Sequence, residues 1–381
     1  MGFHTGQHDH ARHCHEPHCH HDRREPPPRL CRVARHASGV LGGLIGFLFF
    51  VNLAHAETIR VATYDVELTR KGPGLMLRDI TRDDPQVVAI SQVVTHLAPD
   101  ILFLQGVDYD ADLLGAEALR DQFGKRGLDY PHVFALPPNT GIPTGLDMNG
   151  DGRLHTPADA QGYGKFRGAG GMVVLSRWPF GEATDFSALL WRDLPEAQLP
   201  EVNGQPFLSE EVQAIQRLSS NGHWVVPVLH PDGPVTLMLF AAGPPVFDGP
   251  EDQNGLRNAD EIRLWSHLLD GKIGPAPKRP FVLMGGANLD PQKGEGRHAA
   301  IQALLNDPRL QDPLAKTGPT VDWREPSPGD LRVDYVLPSA DLNVIDAGVF
   351  WPKPENPDHE LLSQKDTRAS RHHMVWVDIV F

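Results

Sequence analysis

Short apolar runs alternate with amphipathic stretches over residues 57–381, and this alternation constrains the fold more than any other feature of the chain. Apolar runs of strand length lie at residues 58–63, 101–104, 172–175, 235–241, 281–284, 333–337 and 374–380. Stretches with helical spacing of apolar residues lie at 87–97, 111–123, 260–269 and 297–305. Strand and helix signals mixed in this way predict a layered α/β architecture in one domain.

Two long stretches interrupt the alternation. Residues 137–170 are rich in Gly, Pro and Asp, and residues 191–209 carry scattered Pro. Both are too long to be plain connections, so we predict that each is a functional loop rather than a separate domain.

The first 56 residues have the pattern of a secretory signal. An apolar run at 38–53 follows Arg29, Arg32 and Arg35 and precedes Ala54-His55-Ala56. The run is short for a membrane-spanning helix, which favours cleavage before Glu57 over an uncleaved anchor. We therefore expect residues 57–381 to act in the periplasm or as a secreted protein, with no stable membrane span after cleavage.

A His-rich tract precedes this signal and also contains Cys14 and Cys19. Such a tract can bind zinc or nickel, or it can lie upstream of the true translation start; both interpretations remain open. All three cysteines of the chain lie before residue 57, so the predicted mature chain has neither a disulfide nor a thiol nucleophile.

The charge balance limits the class of partner. The chain has 49 Asp and Glu against 35 Lys and Arg, a formal net charge of −14 at pH 7. A surface this acidic repels nucleic acid backbones unless a local basic or metal-filled cleft compensates. A small phosphorylated molecule is therefore a better candidate ligand than DNA or RNA.

Five short segments, spread from residue 61 to residue 372, carry the residues with chemical potential. They read VATYD at 61–65, LQG at 104–106, MGGAN at 284–288, VDY at 333–335 and SRH at 370–372. In this order they resemble the endonuclease/exonuclease/phosphatase superfamily, in its secreted bacterial branch, whose patterns are a strand ending in Asn, LQE, GDxN, DY and SDH. The resemblance implies a four-layer α/β sandwich of two mixed β-sheets flanked by helices, formed by residues 57–381.

The resemblance also assigns a role to each position, and several of the family's residues are replaced. Gly106 stands where the family has a metal-binding Glu, Gly286 where an Asp orients the attacking water, and Arg371 where the terminal SDH has Asp. Three residues remain as catalytic candidates: Asn288 as a phosphate or water contact, and Asp334 as the residue that orients His372. Asp65 replaces the first Asn, and Ala241 stands where the branch has a His.

Some replaced functions could be supplied by other residues. Asp65, Asp108 and Asp110, the last two of which lie two and four positions beyond Gly106, are candidate ligands for Mg²⁺ or Mn²⁺ in a rearranged site. We also hypothesise that Arg371 takes over part of the metal's charge and binds phosphate, together with Asn288. Residues 217–224 resemble a segment that lines the family's substrate cleft, which makes His223 a further substrate-binding candidate.

Residues 147–153 (DMNGDGR) match the first seven positions of a calcium-binding loop. Asp147, Asn149 and Asp151 are the candidate Ca²⁺ ligands, and Gly152 allows the sharp turn. The twelfth position is Ala158 where a bidentate Glu is expected, although Asp159 follows directly. A calcium site and a turn rich in Asp and Gly both remain open.

Three functions are consistent with these observations. The first is a catalytically impaired phosphoesterase, a pseudoenzyme that still binds a phosphorylated ligand. The second is an active phosphoesterase or phosphodiesterase that uses a divalent metal in a rearranged site. The third is a calcium-stabilised protein-interaction module.

Overall fold

The computed structural model describes residues 57–323, 328–364 and 367–380, which belong to one compact unit. The predicted signal, the His-rich tract and the three cysteines lie outside the described residues.

The strands follow one another along the chain with the helices between them. The strands are β1 (Ile59–Asp65), β2 (Ile101–Val107), β3 (His132–Phe134), β4 (Gly171–Ser176), β5 (Thr184–Asp185), β6 (Glu201–Val202), β7 (Gln205–Pro206), β8 (His223–Val228), β9 (Val235–Ala241), β10 (Phe281–Gly286), β11 (Asp334–Pro338), β12 (Asn343–Val349), β13 (Ser363–Gln364), β14 (Thr367–Arg368) and β15 (Val375–Val380). The helices are α1 (Leu75–Thr81), α2 (Pro85–Leu97), α3 (Leu114–Gly124), α4 (Glu210–Ile215), α5 (Gln253–Leu269) and α6 (His298–Leu305). Short 3₁₀ helices lie at Pro157–Asp159, Trp191–Asp193 and Pro357–Leu362.

Two mixed sheets form the centre of the fold. The six-stranded sheet has the order β12-β15-β1-β2-β4-β3, and the five-stranded sheet has the order β11-β10-β9-β8-β5. The pairs β1–β2 and β9–β10 are parallel, whereas the other pairs in both sheets are antiparallel. The inner faces of the two sheets share one apolar cluster, to which Val61 and Phe103 contribute from one sheet and Leu237 and Met284 from the other.

Helices cover both outer faces. Successive residues of β1 point to opposite faces of the sheet. Val61 packs between the two sheets, whereas Ala62 and Tyr64 pack outward against α2. Helix α5 packs on the other side, where Ile262 and Trp265 join the outer face of the second sheet. The predicted four-layer α/β sandwich is therefore confirmed.

Local sequence explains where α2 begins. The Asp84 side chain accepts a hydrogen bond from the Gln86 N–H at 3.0 Å, and Pro85 occupies the first turn, where it costs no helical hydrogen bond. The helix ends at Ala98, which has a left-handed conformation. Among the described residues, no helix combines the length and the apolar character needed to cross a membrane.

Four strands of the central sheets, β3, β5, β8 and β12, have no counterpart among the predicted apolar runs. Strand β8 lies inside a stretch that we interpreted only as a cleft-lining segment, although His223, Trp224 and Val226 are buried. Strand β12 lies at the edge of its sheet, and most of its side chains are exposed or partly exposed. An edge strand without a buried face does not produce the apolar run that we used as the strand signal.

Candidate functional site

The five sequence segments meet at one edge of the sandwich. Asp65 lies beside Gln105 at the carboxyl ends of the parallel strands β1 and β2, and Gly286 lies opposite Asp334 in the pairing of β10 with β11. The Ser370 hydroxyl donates a hydrogen bond to the Asp65 carbonyl at 2.7 Å and so joins the last segment to the first. Segments 305 residues apart therefore form one constellation, because the strands that carry or follow them have these termini at the same edge.

His372 and Asp334 are paired as the resemblance implied. His372 Nδ1 lies 2.8 Å from Asp334 Oδ2, and the Thr320 hydroxyl donates to the same carboxylate oxygen at 2.9 Å. Burial acts to lower the pKa of His372, but the negative charges of Asp334 and Asp65 and the hydrogen bond to Asp334 raise it to about 9. The imidazole is therefore cationic at neutral pH.

A segment of the protein covers this histidine. Residues 320–323 run beside residues 371–373, with Val321 bridged to His372 and the Asp322 N–H donating to the Arg371 carbonyl at 2.8 Å. The Trp323 ring lies edge-on to the imidazole, with 5.5 Å between ring centroids. His372 is only 6% exposed as a result.

Arg371 is bound by a residue that the sequence analysis did not single out, Glu67. The Arg371 main-chain N–H donates to Glu67 Oε2 at 2.7 Å, and its Nε donates to Glu67 Oε1 at 2.8 Å. Burial acts to raise the pKa of Glu67, but the hydrogen bonds from Arg371 lower it overall, so the pair is ionic at neutral pH. The charge of Arg371 is thus neutralised within the protein. A signal for Glu67 did exist, since it is a carboxylate placed two residues beyond the end of β1.

Gly106 leaves no room for a side chain where the family has its metal-binding Glu. Its φ is +68°, and a Cβ added there would lie 2.5 Å from Asp65 Oδ1 and 2.9 Å from the Glu67 backbone nitrogen. Asp65 Oδ1 accepts a hydrogen bond from that N–H at 3.0 Å. Burial raises the pKa of Asp65, while the charge of His372 opposes the rise. The carboxylate of Asp65 therefore fills the space beside Gly106.

Gly286 leaves a gap instead. A Cβ at this position would lie 3.1 Å from Gln105 Oε1 and 3.6 Å from Asp334 Oδ1. Both oxygens are buried and have no hydrogen-bond partner within the protein. The space where the family has its water-orienting Asp is thus lined by two unpartnered acceptors.

The two metal-ligand candidates just beyond the second segment, Asp108 and Asp110, perform structural roles. Asp108 accepts the N–H groups of Arg70 and Gly170 at 3.0 and 2.9 Å. Asp110 accepts those of Leu114 and Gly115 at the beginning of α3, at 2.8 and 2.9 Å. Each carboxylate thus satisfies backbone donors in a loop or at a helix start.

These contacts test whether the site suits Mg²⁺ or Mn²⁺. Among the described residues, no group of three or more His, Cys, Asp or Glu is arranged to hold a metal ion. Asp65 Oδ1 is engaged by a backbone N–H, Glu67 by Arg371, and Asp334 Oδ2 by His372 and Thr320, while Asp334 Oδ1 and Gln105 Oε1 are buried acceptors without a partner. Hard cations need several free oxygen ligands around one point. The residues present do not fit that requirement.

The predicted calcium loop is held by hydrogen bonds within itself. Asp147 accepts the N–H groups of Asp151 and Gly152 at 3.2 and 2.8 Å, and Asp151 accepts that of Arg153. Asp159 accepts from Thr156 and from the Met148 N–H, and Asn149 lies on the wall of the cavity described below. The loop geometry is that of a turn rich in Asp and Gly, and the calcium site stays a prediction.

His223 is a core residue in this structure. Its Nδ1 lies 2.7 Å from the Ser219 hydroxyl and its Nε2 lies 3.0 Å from the Glu261 carbonyl. Burial lowers its pKa to about 3, so the ring is neutral at physiological pH. The ring packs between Phe240 and Trp265 and does not line the cavity.

A cavity of about 1080 Å³ opens beside the buried His372–Asp334 pair. Asp65, Glu67, Gln105 and Asn288 form the wall nearest the sheet edge, while Glu261 and Arg257 of α5 form another wall. His372, Asp334 and Arg371 are not among the lining residues. The cavity therefore lies close to His372 and Asp334, but neither side chain forms part of its wall.

Comparisons with known proteins agree with this architecture. Residues 52–372 match the sequence model of the Endonuclease/Exonuclease/phosphatase family. The structure is similar to an endonuclease/exonuclease/phosphatase from Beutenbergia cavernae DSM 12333, with 20% identity, a TM-score of 0.51, and coverage of 85% of this chain and 72% of that one. It is also similar to a family protein from Leptotrichia buccalis C-1013-b, with 16% identity, a TM-score of 0.50, and coverage of 85% and 100%. At these identities the likeness concerns the fold. No match was found among curated proteins.

Proposed function

Because the chain belongs to the endonuclease/exonuclease/phosphatase family, we propose that it is a catalytically impaired member that keeps the phosphoesterase fold as a binding scaffold. One observation carries the proposal: Gly106 has no space for a side chain, and the Asp65 carboxylate fills the adjoining space. Members of this family generally use divalent ions such as Mg²⁺, which neutralise phosphate charge and align the attacking water.

The remaining carboxylates support the same proposal. Glu67 is engaged with Arg371 through both of its carboxylate oxygens, and Asp334 is engaged with His372 through Oδ2, so that of these four oxygens only Asp334 Oδ1 lacks a partner. Loss of a base or of a water-orienting carboxylate, as at Gly286, reduces rates by about 10²- to 10⁴-fold. Two such losses in one site make family-like hydrolysis negligible.

The expectation that the ligand is phosphorylated has little support from the cavity. Its lining includes Asp65, Glu67, Glu251 and Glu261, whereas Arg257 is the only cationic lining side chain among the described residues. A phosphate group in such a space meets mainly like charge.

A second candidate function is supported by the intact His372–Asp334 pair. A cationic imidazole oriented by a carboxylate at 2.8 Å is suited to stabilise a phosphoester transition state if residues 320–323 move away from it. Under this alternative, the chain is an active phosphoesterase with a rearranged metal site.

Hydrolysis of a bis-aryl phosphodiester with Mg²⁺, Mn²⁺ or Ca²⁺ separates the two functions. The matched control is His372→Ala, which removes the imidazole that the active alternative requires for hydrolysis. We expect the wild-type protein and this variant to show the same background rate with every metal. A metal-dependent rate that the substitution abolishes would establish the active alternative and refute the proposal.

We also propose that the protein acts outside the cytoplasm, on the basis of the signal pattern before residue 57. Expression in a bacterial host followed by fractionation and N-terminal sequencing tests this. The expected result is a periplasmic or secreted chain that begins at Glu57. A cytoplasmic full-length chain would contradict the proposal.

A further inference from the structure

A second cavity, of about 360 Å³, adjoins the large one. Residues common to both linings are Thr69, Thr140, Tyr163 and Gly170. The charged side chains that line this small cavity are those of Arg70, Lys71 and Lys165, and no described Asp or Glu contributes to its walls. In a chain with a formal net charge of −14, the small cavity is therefore a cationic exception beside an acidic large cavity.

The walls of the small cavity come from two loops that Asp108 holds together. Arg70 and Lys71 lie in the loop after β1, whereas Lys165 and Gly170 lie in the loop before β4. Asp108 Oδ2 accepts the Arg70 N–H at 3.0 Å, and Asp108 Oδ1 accepts the Gly170 N–H at 2.9 Å. Because one buried carboxylate connects both loops, the cationic side chains are brought to one place by the fold rather than by chance encounters of independent loops.

The guanidinium group of Arg70 is anchored at one position only. Its Nε donates to Asp79 Oδ2 at 2.8 Å, while its Nη2 lies 3.7 Å from Asp84 Oδ1, beyond hydrogen-bond distance. Neither Nη group donates a hydrogen bond to any residue that the structure describes. The side chain is only 17% exposed, so its position is fixed by its surroundings. A guanidinium held through Nε keeps both Nη groups for an oxyanion, which it can bind with two parallel hydrogen bonds.

Two lysines and two hydroxyl groups add donors to these walls. Lys71 and Lys165 are exposed, and neither ammonium group forms an ion pair within the described ranges of the chain. The Thr69 and Tyr163 hydroxyls make no hydrogen bond to a described residue, and both residues are exposed. The small cavity therefore offers reachable N–H and O–H donors together with positive charge, and no carboxylate of its lining opposes an anion.

We propose that the small cavity is a non-catalytic seat for the phosphate group of a phosphate monoester, whose organic part extends past Tyr163 into the large cavity. The inference rests on the proposed function, since it assigns a ligand to the binding scaffold. A phosphate monoester carries a charge of about −1.5 to −2 at pH 7 and three strong acceptor oxygens, which suits one guanidinium and two ammonium groups. The carboxylates of the large cavity repel the same group. His372 and Asp334 line neither cavity, so the phosphate would lie apart from them.

Isothermal titration calorimetry with phenyl phosphate, using the chain from residue 57 onward in buffer freed of divalent ions, tests the class of ligand. Benzyl alcohol has a similar ring without charge, benzoate has a single charge, and inorganic phosphate lacks the ring. We expect phenyl phosphate to bind at least about tenfold more tightly than benzyl alcohol or benzoate, and several-fold more tightly than inorganic phosphate. No binding of phenyl phosphate at millimolar concentration, or equal binding of benzyl alcohol or benzoate, would overturn the proposal. Equal binding of inorganic phosphate would overturn the assignment to a monoester.

A pair of double variants locates the binding. Lys71→Gln with Lys165→Gln removes both ammonium groups from the small cavity, and we expect it to weaken phenyl phosphate binding about tenfold or more. Lys125→Gln with Lys278→Gln is the matched control, because it removes the same charge from two exposed lysines that line neither cavity. The control should change the affinity less than about twofold, since solvent and salt screen distant surface charges. Equal loss in both double variants, or in neither, would show that phosphate does not bind in the small cavity.

Arg70→Lys tests the guanidinium separately from its charge. The substitution keeps the positive charge but removes the fork that can bind Asp79 and an oxyanion at the same time, so phenyl phosphate binding should weaken several-fold. Phenyl phosphate should also raise the melting temperature of the wild type by more than that of the variant, which shows that the variant is folded and binds less. An unchanged affinity in Arg70→Lys would contradict the placement of the phosphate at this side chain.

Failure of this proposal can be distinguished from failure of the proposed function. Phenyl phosphate binding is measured by heat without divalent ions, whereas hydrolysis of the bis-aryl phosphodiester is measured by release of the aryl group with them. A chain that hydrolyses the diester and binds phenyl phosphate would refute only the proposed function. A chain that does neither would refute only the phosphate seat.

Discussion

Glu67, which follows β1, holds Arg371, which precedes β15, by hydrogen bonds to both the main-chain N–H and the guanidinium group. The two residues are 304 positions apart in the chain. From the sequence alone, Arg371 introduced an unbalanced positive charge at a phosphate site. The pairing cancels that charge and leaves Arg371 outside the cavity lining. It also connects the segment after β1 with the segment before β15, two strands that are neighbours in the six-stranded sheet.

A double-mutant cycle tests this ion pair. Because the Arg371 side chain is 50% exposed and the Glu67 side chain 24%, solvent screens part of the attraction, and we expect a coupling energy of about 1 kcal/mol between Glu67→Gln and Arg371→Met. Denaturant unfolding of the wild type, both single variants and the double variant gives this energy. Additive effects would show that the pair contributes nothing.

The conformation of Gly106 predicts a large effect of a single methyl group. Gly106→Ala places a Cβ 2.5 Å from Asp65 Oδ1 in a left-handed backbone, and we expect a loss of about 3 kcal/mol in unfolding free energy. Gly74→Ala is the matched control, since Gly74 has a φ of +74° but nothing within 4 Å of an added Cβ. Equal losses of unfolding free energy in the two variants would mean that the close contact between the added Cβ and Asp65 is not destabilising.

The adjacent glycines Gly285 and Gly286 should lose very different amounts of stability when each is replaced by Ala. At Gly286 an added Cβ meets only side-chain oxygens at 3.1 and 3.6 Å, so Gly286→Ala should change stability by less than about 1 kcal/mol. At Gly285 the φ is +142° and the Cβ would lie 1.9 Å from the Phe240 carbonyl oxygen, so Gly285→Ala should cost about 3 kcal/mol or more. Thermal unfolding of both variants checks the contrast, and similar melting temperatures would contradict it.

The His372–Asp334 pair predicts a dependence of stability on pH. The folded pKa of His372 is about 9, above its ordinary value of 6.5, so protonated His372 stabilises the fold fully below pH 6.5. That contribution, about 3 kcal/mol at most, is lost as pH rises through 9. The wild type should therefore exceed His372→Gln in unfolding free energy by more at pH 6 than at pH 10. The change in this difference equals the stabilisation that the protonated imidazole provides. A difference that grows with pH, or an imidazole NMR titration near 6.5, would refute the assignment.

Much of the architecture was predictable from local sequence. Apolar runs identified β9 and β10, and the helical spacing at 87–97 identified α2, because burial of one face leaves a periodic signal in the residues themselves. The family-like segments predicted the sandwich, because the superfamily that they resemble has two mixed sheets flanked by helices. The same resemblance implied that Asp334 orients His372, and the two side chains lie 2.8 Å apart.

Other features of the site could not be predicted in this way. Asp108 and Asp110 were offered as metal ligands on the basis of residue type, but the structure engages them with backbone donors at a loop and at a helix start. His223 was offered as a ligand contact, and the structure buries it between two aromatic rings. Residue type indicates what a side chain can do, whereas its neighbours in space determine which of those interactions it makes.

The sequence by itself determined the α/β class, the order of the segments and the loss of side chains at Gly106 and Gly286, since these are properties of consecutive residues. Only the tertiary structure decided that Asp65 fills the space beside Gly106, that Glu67 neutralises Arg371, and that the lining of the large cavity has several carboxylate residues and, among the described residues, one cationic side chain, that of Arg257. The physical reason is that hydrogen bonds and charges act over a few ångströms. Residues as far apart in the chain as Glu67 and Arg371 come within that distance only when the chain folds.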